Sequence, residues 1–307
     1  MKYYIGNTDL DWYNYLRKIN PEDINFWQPG GLTHFKAIEK GSPFLLKLKA
    51  PINKVAGVGF FVSHSLLPIH FAWEVFQNRN GSSQYAEFHS KIKSYRDNSN
   101  NPLERNPNIG CIVLTNPIFF REQDWISIPE NWSRNIVQGK IYNTDTVPDH
   151  NYWKQIEALL LKYSDLPEGI SEEPVPLYNR YLTNIRIGQG AFRILVTDAY
   201  SRRCAISGEK TLPVLEAAHI KPYSSSGINT TSNGLLLRAD LHKLFDSGYI
   251  TVTDEYHIEI SRRIKDEFEN GRDYYKYHGQ QFLSLPQNVY DLPNRDYLKW
   301  HNENIYR

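Results

Sequence analysis

Two stretches decide the fold of the C-terminal half: LEAAHIKPY (215–223) and NGLLLRADLHKLFDSG (233–248). The apolar run VLEAAHI (214–220) reads as a strand, and LLLR (235–238) as a second one. Between them YSSSGINTTSNG is a polar loop, and ADLHKLFDSG is a short helix that Gly248 is placed to end. The order is therefore strand, loop, strand, helix. Three residues in it carry chemistry: His219, Asn233 and His242, spaced by 14 and 9 positions. His219 closes a strand, so its ring is held on a rigid element. Asn233 enters the next strand, where its amide can bridge two backbones and fix the hairpin. His242 lies on the helix with Asp246 four residues later, on the same face. A His and a carboxylate on one face suit a divalent cation.

Working outward, GAFRILVTDAYSRR (190–203) reads as a helix whose Phe192, Leu195, Val196 and Ala199 form one buried stripe. Arg193, Arg202 and Arg203 fall off that stripe. On the other side YITV and HIEI read as a hairpin. Net charge is only +1, which gives no global case for a polyanionic partner. Locally, Arg180, Arg186, Arg193, Arg202, Arg203, Lys210 and Lys221 face three acidic residues between positions 180 and 225. Such a stretch is either a solvated face or a phosphate-binding one.

The segment CAISG…LEAAHIKPY…NGLLLRADLHKLFDSG resembles the ββα-metal core of HNH endonucleases of the group reading AAHI…NG…LHxLFD. The resemblance covers roughly residues 186–307, including the region around Leu298 to His301. It implies that His219 is the general base, Asn233 holds the hairpin and His242 binds the metal, with Asp246 at a position often taken by a further ligand. Many HNH nucleases carry a metal-binding Asp or His immediately before the base, and here Ala218 stands there. Glu216 shares a strand face with Ala218 if the strand is regular, so it is either a substitute ligand or the partner of a basic neighbour. A shell this short in protein ligands favours Mg²⁺ or Mn²⁺, with Co²⁺ and Ni²⁺ as further candidates. Some relatives hold a zinc knuckle with a Cys pair near Cys204, but Ser207 replaces the second cysteine, and a buried free thiol is the expectation.

The N-terminal half alternates short apolar runs with Gly, Pro and Asn. FLLKLKAP (44–51), VAGVGFFV (55–62) and IGCIVLTNPIFF (109–120) read as strands; PIHFAWEVFQ (68–77) and YAEFHSKIKSY (85–95) read as helices. YYIGNTDLDWYNYL, INFWQPGG, GVGFFVSHSLLPIHFAWEVF and NWSRNIVQGKIY resemble the PUA-like domains (EVE, YTH and SRA modules) found fused to HNH modules. That resemblance implies a pocket for a flipped, modified base, walled by aromatic rings. The candidate wall residues are Trp27, Trp12 and Trp73, with Ser63 and His64 as polar contacts; for each, a packing role is the competing reading.

The expected organisation is α+β. Residues 1–145 form a PUA-like curved sheet or barrel with helices, 146–185 a helical spacer and linker, and 186–307 the HNH domain. The expected activity is modification-dependent cleavage of double-stranded DNA near a modified cytosine, by a homodimer. Arg193, Arg202, Arg203 and Lys221 would contact phosphates. The rival expectations are an HNH nuclease or nickase indifferent to modification, and a nucleic-acid-binding protein with a degenerate centre. With two cysteines, no apolar signal core and no membrane-spanning run, a prokaryotic cytoplasm is the expected setting.

Overall fold

The computed structural model describes residues 1–30, 33–97, 106–163 and 187–307. The linker expected within 146–185, apart from its first part, and the basic Arg180 and Arg186 lie outside the described residues. Contacts divide the chain into two compact units, Met1–Ala191 and Phe192–Arg307. Helices and strands are mixed in both, so the fold class is α+β as expected. No helix of the described residues is long and apolar enough to cross a membrane.

The first unit is built on one seven-stranded sheet. Its strands are β1 (Lys2–Thr8), β2 (Asp23–Gln28), β3 (Pro43–Leu48), β4 (Lys54–Pro68), β5 (Asn108–Phe119), β6 (Ile126–Ser127) and β7 (Gly139–Asn143). They are ordered β2-β5-β4-β3-β1-β7, with β6 also on β4. β1 and β3 run parallel and the other pairs antiparallel. The long β4 slips register against β5 between Val58 and Phe60 and again between Phe61 and Ser63, and such irregularities bend a strand.

Period-two alternation assigns the two faces of this sheet. Tyr3, Ile5, Leu45, Val58 and Phe60 pack on one side with Tyr152, Trp153, Ile156 and Leu160 of helix α4 (Val147–Tyr163). Tyr4, Phe44 and Leu46 pack on the other with Trp12, Tyr13 and Leu16 of helix α1 (Leu10–Ile19). Helices α2 (Ile69–Phe76) and α3 (Tyr85–Asp97) complete the unit. The helix expected to start a spacer is thus part of the N-terminal core. Four buried side chains on one of its faces explain why it stays with the sheet.

Helix α5 (Gln189–Ala199), which belongs to the second unit from Phe192 onward, buries Phe192, Ile194, Val196 and Thr197, whereas Leu195 and Ala199 are half-buried. The buried arc is wider than the expected single stripe, which marks a core helix. Strands β8 (Leu215–His219) and β9 (Gly234–Arg238) form an antiparallel hairpin pairing His219 with Gly234 and Glu216 with Leu237. The hairpin lies close on α5, because a Cβ on Gly234 would come within 2.4 Å of Val196 Cγ2. Helix α6 (Ala239–Asp246) follows at once, and Gly248, at φ 74°, ends it. A second hairpin, β10 (Ile250–Val252) with β11 (Ile258–Ile260), follows as expected. Short helices α7 (Arg263–Phe268) and α8 (Arg272–Tyr275) precede α9 (Arg295–Asn304).

His301 of α9 is 2% exposed and stacks on Phe245 at 3.8 Å, with Nδ1 2.8 Å from Thr251 Oγ1. Burial, opposed in part by the Phe245 carbonyl and the Asp246 charge, pushes it down from 6.5 to about 4. Between those values the unfolded chain binds a proton that the folded unit refuses, so stability rises with pH across the window. This contribution is fully present above about pH 6.5 and is lost on acidification, by about 3 kcal/mol at pH 4. Thermal melts of wild type and His301→Phe from pH 7 to 4 check this. The variant's melting temperature should fall less steeply with acid, and identical slopes would discard the assignment.

Candidate functional site

His219 ends β8 with its ring stacked on Phe192, centroids 4.1 Å apart and planes 11° from parallel. Its Nε2 lies 2.8 Å from Asn229 Oδ1. An amide oxygen can only accept, so Nε2 carries the proton and the Nδ1 lone pair is left to act as a base. The sequence reading missed Asn229. It is one polar residue among several in a loop without periodicity, and only the folded loop brings it back to the ring.

Asn233 is fully buried. Its Oδ1 accepts from the Lys221 N–H at 2.9 Å, while Nδ2 donates to the carbonyls of Lys221 at 2.9 Å and Ile228 at 3.0 Å. The Asn233 carbonyl in turn accepts from the Ile220 N–H at 2.9 Å. The amide is fully committed to holding the loop across the hairpin mouth, so its part is to fix the segment leading from His219.

His242 lies between two carboxylates. Nδ1 is 2.7 Å from Glu216 Oε2 across the hairpin, and Nε2 is 3.2 Å from Asp246 Oδ2 one turn along α6. Burial alone would lower the His242 pKa, but hydrogen bonds to Asp246 and Glu216, and their charges, more than offset it and hold it above the usual value. Ala218 is buried on the face of β8 that Glu216 shares. The three candidate ligands are therefore adjacent, but the carboxylates occupy opposite ring nitrogens, and one ion cannot take the ring and both of them. Among the described residues no group of three or more His, Cys, Asp or Glu is arranged to hold a metal. His242 Nε2 and Asp246 Oδ2, 3.2 Å apart, are the imidazole and carboxylate donors that would hold a divalent ion between them. Glu216 then matches the carboxylate that commonly takes the other N–H of a metal-binding histidine.

Three of the four basic candidates have separate contacts. Arg193 Nη2 donates to the Leu215 carbonyl at 3.4 Å, Arg202 Nε lies 3.5 Å from Asp198, and Lys221 Nζ sits 5.4 Å over the Trp300 ring. Arg203 is exposed. Cys204 is a buried free thiol whose sulfur accepts the N–H groups of Ser207 and Arg238, each at 3.3 Å.

In the first unit a cavity of ≈ 170 Å³ is walled by Trp12, Phe26, Trp27 and Tyr95, with Asp9 and Lys49 at its polar side. Trp12 and Trp27 are thus the two sequence candidates that it brings together. Trp73 lies against Phe88 and Tyr85 instead, at 5.8 and 6.1 Å. Ser63 and His64 follow the second irregularity of β4 and do not line this cavity. His64 Nδ1 accepts from the Phe35 N–H at 3.3 Å, and burial, with a smaller effect of His34, pushes its pKa down to about 4. Asp9, Lys49 and Tyr95 are not singled out by the sequence; they are distant in the chain and ordinary in composition.

A family model described as HNH endonuclease matches residues 204–253, which contain His219, Asn233, His242 and Asp246. The second unit thus carries an HNH endonuclease domain, and the chain is read as a nuclease. Among solved structures, ASCH from Zymomonas mobilis is 7% identical, covering 51% of this chain and 94% of that one, at a TM-score of 0.36. A point mutant of that protein gives the same identity and score over 99% of its length. A modification dependent TagI restriction endonuclease is 14% identical over 87% of this chain and 62% of its own, at a TM-score of 0.28. No curated protein matches.

Proposed function

We propose that the chain is a modification-dependent DNA endonuclease in which the second unit cuts and the first, read as PUA-like, selects the site. The observation that carries the cutting half is His219, held in one tautomer by Asn229 on the hairpin that also bears Glu216 against His242. His219 Nδ1 takes the proton of a water attacking phosphorus in line. The P–O3′ bond breaks, the pair of electrons leaves on the 3′-oxygen, which takes a proton from solvent water, and the products are a 3′-hydroxyl and a 5′-phosphate. His242 Nε2 and Asp246 would hold a divalent ion, Mg²⁺ or Mn²⁺, which when bound supplies Lewis-acid stabilisation of the phosphate charge. Glu216 keeps the His242 ring oriented through Nδ1. Arg193, Arg202, Arg203 and Lys221 are assigned to phosphate contacts, which position the duplex without reading it.

Selection belongs to the first unit, where a modified cytosine turned out of the duplex would stack on Trp12 and Trp27. One centre cuts one strand, so a double-strand break calls for a homodimer or two bound copies. The setting is a prokaryotic cytoplasm.

Matched duplexes carrying cytosine, 5-methylcytosine, 5-hydroxymethylcytosine, glucosylated cytosine or N6-methyladenine, each with Mg²⁺ or Mn²⁺, test both halves. Cutting confined to modified cytosine is expected. Equal cutting of all five leaves a nuclease without a reader. No cutting with Mg²⁺, Mn²⁺, Co²⁺ or Ni²⁺ leaves a binding protein, the reading that Ala218 in the ligand position would favour.

A further inference from the structure

The first unit contains a hydrogen-bonded triangle of Asp9, Lys49 and Tyr95 at the side of its cavity. Lys49 Nζ lies 2.7 Å from Asp9 Oδ1 and 2.6 Å from the Tyr95 hydroxyl, which donates to Asp9 Oδ2 at 2.6 Å. The three come from different elements: Asp9 precedes α1, Lys49 follows β3, and Tyr95 is near the end of α3. All three line the cavity walled by Trp12, Phe26 and Trp27. The Lys49 and Asp9 side chains remain 40% and 30% exposed, so a ligand can reach them.

Asp9 is the N-cap residue of α1, with extended backbone at φ −75°, yet its side chain makes no capping hydrogen bond. Aspartate is among the best capping residues, and here its carboxylate is turned away from the open helix end toward a lysine and a tyrosine. The carboxylate thus serves the cavity side of the unit in place of the helix end, and departures from a local rule concentrate at functional sites. Burial alone would depress Lys49, but hydrogen bonds to Asp9 and Tyr95 overcome it and keep it a cation; burial, then the Asp9 contact, keeps Tyr95 a neutral hydroxyl. Two ammonium hydrogens serve the triangle, which leaves one donor on Lys49 beside the spare lone pairs of Asp9.

We propose that Asp9, Lys49 and Tyr95 form the edge-reading wall of a pocket for one pyrimidine base of DNA. Resting on the reader assigned above, this gives that reader its polar contacts and its ring size. An adjacent donor and acceptor match the edge of a pyrimidine, where an amino or imino hydrogen lies beside a ring nitrogen or carbonyl acceptor. The aromatic walls supply stacking faces. A cavity of ≈ 170 Å³ is close to the apolar cavity of about 150 Å³ that takes a single benzene ring, so it suits one six-membered ring.

The test uses the full chain in metal-free buffer and three duplexes differing at one central position: paired 5-methylcytosine, unpaired 5-methylcytosine and unpaired adenine. An unpaired base lowers the cost of turning it out of the stack. Anisotropy of labelled DNA should show unpaired 5-methylcytosine bound about tenfold tighter than the other two, with quenching of tryptophan fluorescence. Lys49→Met should remove that preference, and Tyr95→Phe should reduce it with less change to the fold. Lys91→Met, which removes a lysine paired with Asp11 and Glu87 outside the cavity, should leave the preference intact. Thermal melts identify any variant that has lost its fold. A wild-type protein with no preference defeats the reader itself. A preference that survives in folded Lys49→Met and Tyr95→Phe defeats only the triangle, and tighter binding of unpaired adenine defeats the pyrimidine assignment.

Discussion

Replacing His219 by alanine is expected to lower the rate of DNA cleavage by about 10²–10⁴-fold, the contribution of a positioned general base, and to leave metal affinity in place. The ring is prepared for this role by two contacts: the Phe192 face at 4.1 Å fixes its plane, and Asn229 Oδ1 at 2.8 Å fixes its tautomer. Neither contact passes through His242, so the variant should bind Mn²⁺ as wild type does. Under single turnover with a labelled duplex the loss should fall on the cleavage rate, with the DNA concentration at half-saturation nearly unchanged. Calorimetric titration with Mn²⁺ supplies the second readout. A variant that keeps full activity would remove His219 from the base role. One that loses Mn²⁺ binding as well would place His219 among the ligands.

Much of the second unit is legible in its sequence because the elements are short, contiguous and separated by polar loops. The strands around Leu215–His219 and Gly234–Arg238 and the helix over Ala239–Asp246 fall within the expected stretches, as does Gly248 at positive φ. Spacing along one helix also places Asp246 beside His242. Less legible is anything decided by pairing across the chain. Asn229 reaches His219 only through the course of the loop, and the strand register sets Glu216 against Nδ1, the nitrogen opposite Asp246. Alternation puts Glu216 on the Ala218 face but cannot say which ring nitrogen it meets.

The first unit gives the same lesson on a larger scale. Three of its strands, β3, β4 and β5, show in sequence as short apolar runs, but the helix Val147–Tyr163 reads in sequence as a spacer. Its hydrophobic residues could serve a linker helix or a core helix equally until Tyr3, Ile5 and Phe60 are seen against them. The polar side of the cavity escapes a sequence reading because Asp9, Lys49 and Tyr95 carry no motif.

Metal affinity should divide the three residues around His242 in a definite order. When protonated, His242 bridges Glu216 and Asp246, and these contacts hold its pKa above the usual value despite burial. That bridge stabilises the fold at low pH and is lost as the pH rises through the raised value. A cation needs the neutral ring, so it displaces a proton, and Mn²⁺ binding below the raised value should release about one proton per ion. His242→Ala should abolish binding. Asp246→Ala removes the carboxylate at 3.2 Å from Nε2 and should nearly do the same. Glu216→Gln keeps a hydrogen-bond acceptor for Nδ1 but loses its charge, and should weaken Mn²⁺ by about 10–100-fold, as outer contacts to a ligating histidine do. Cleavage rates at limiting Mn²⁺ should follow the same order, with excess metal rescuing Glu216→Gln much more than Asp246→Ala. If Glu216→Gln is instead the more damaging of the two carboxylate changes, the ion sits on Nδ1, and Glu216 rather than Asp246 is the ligand that makes up for Ala218.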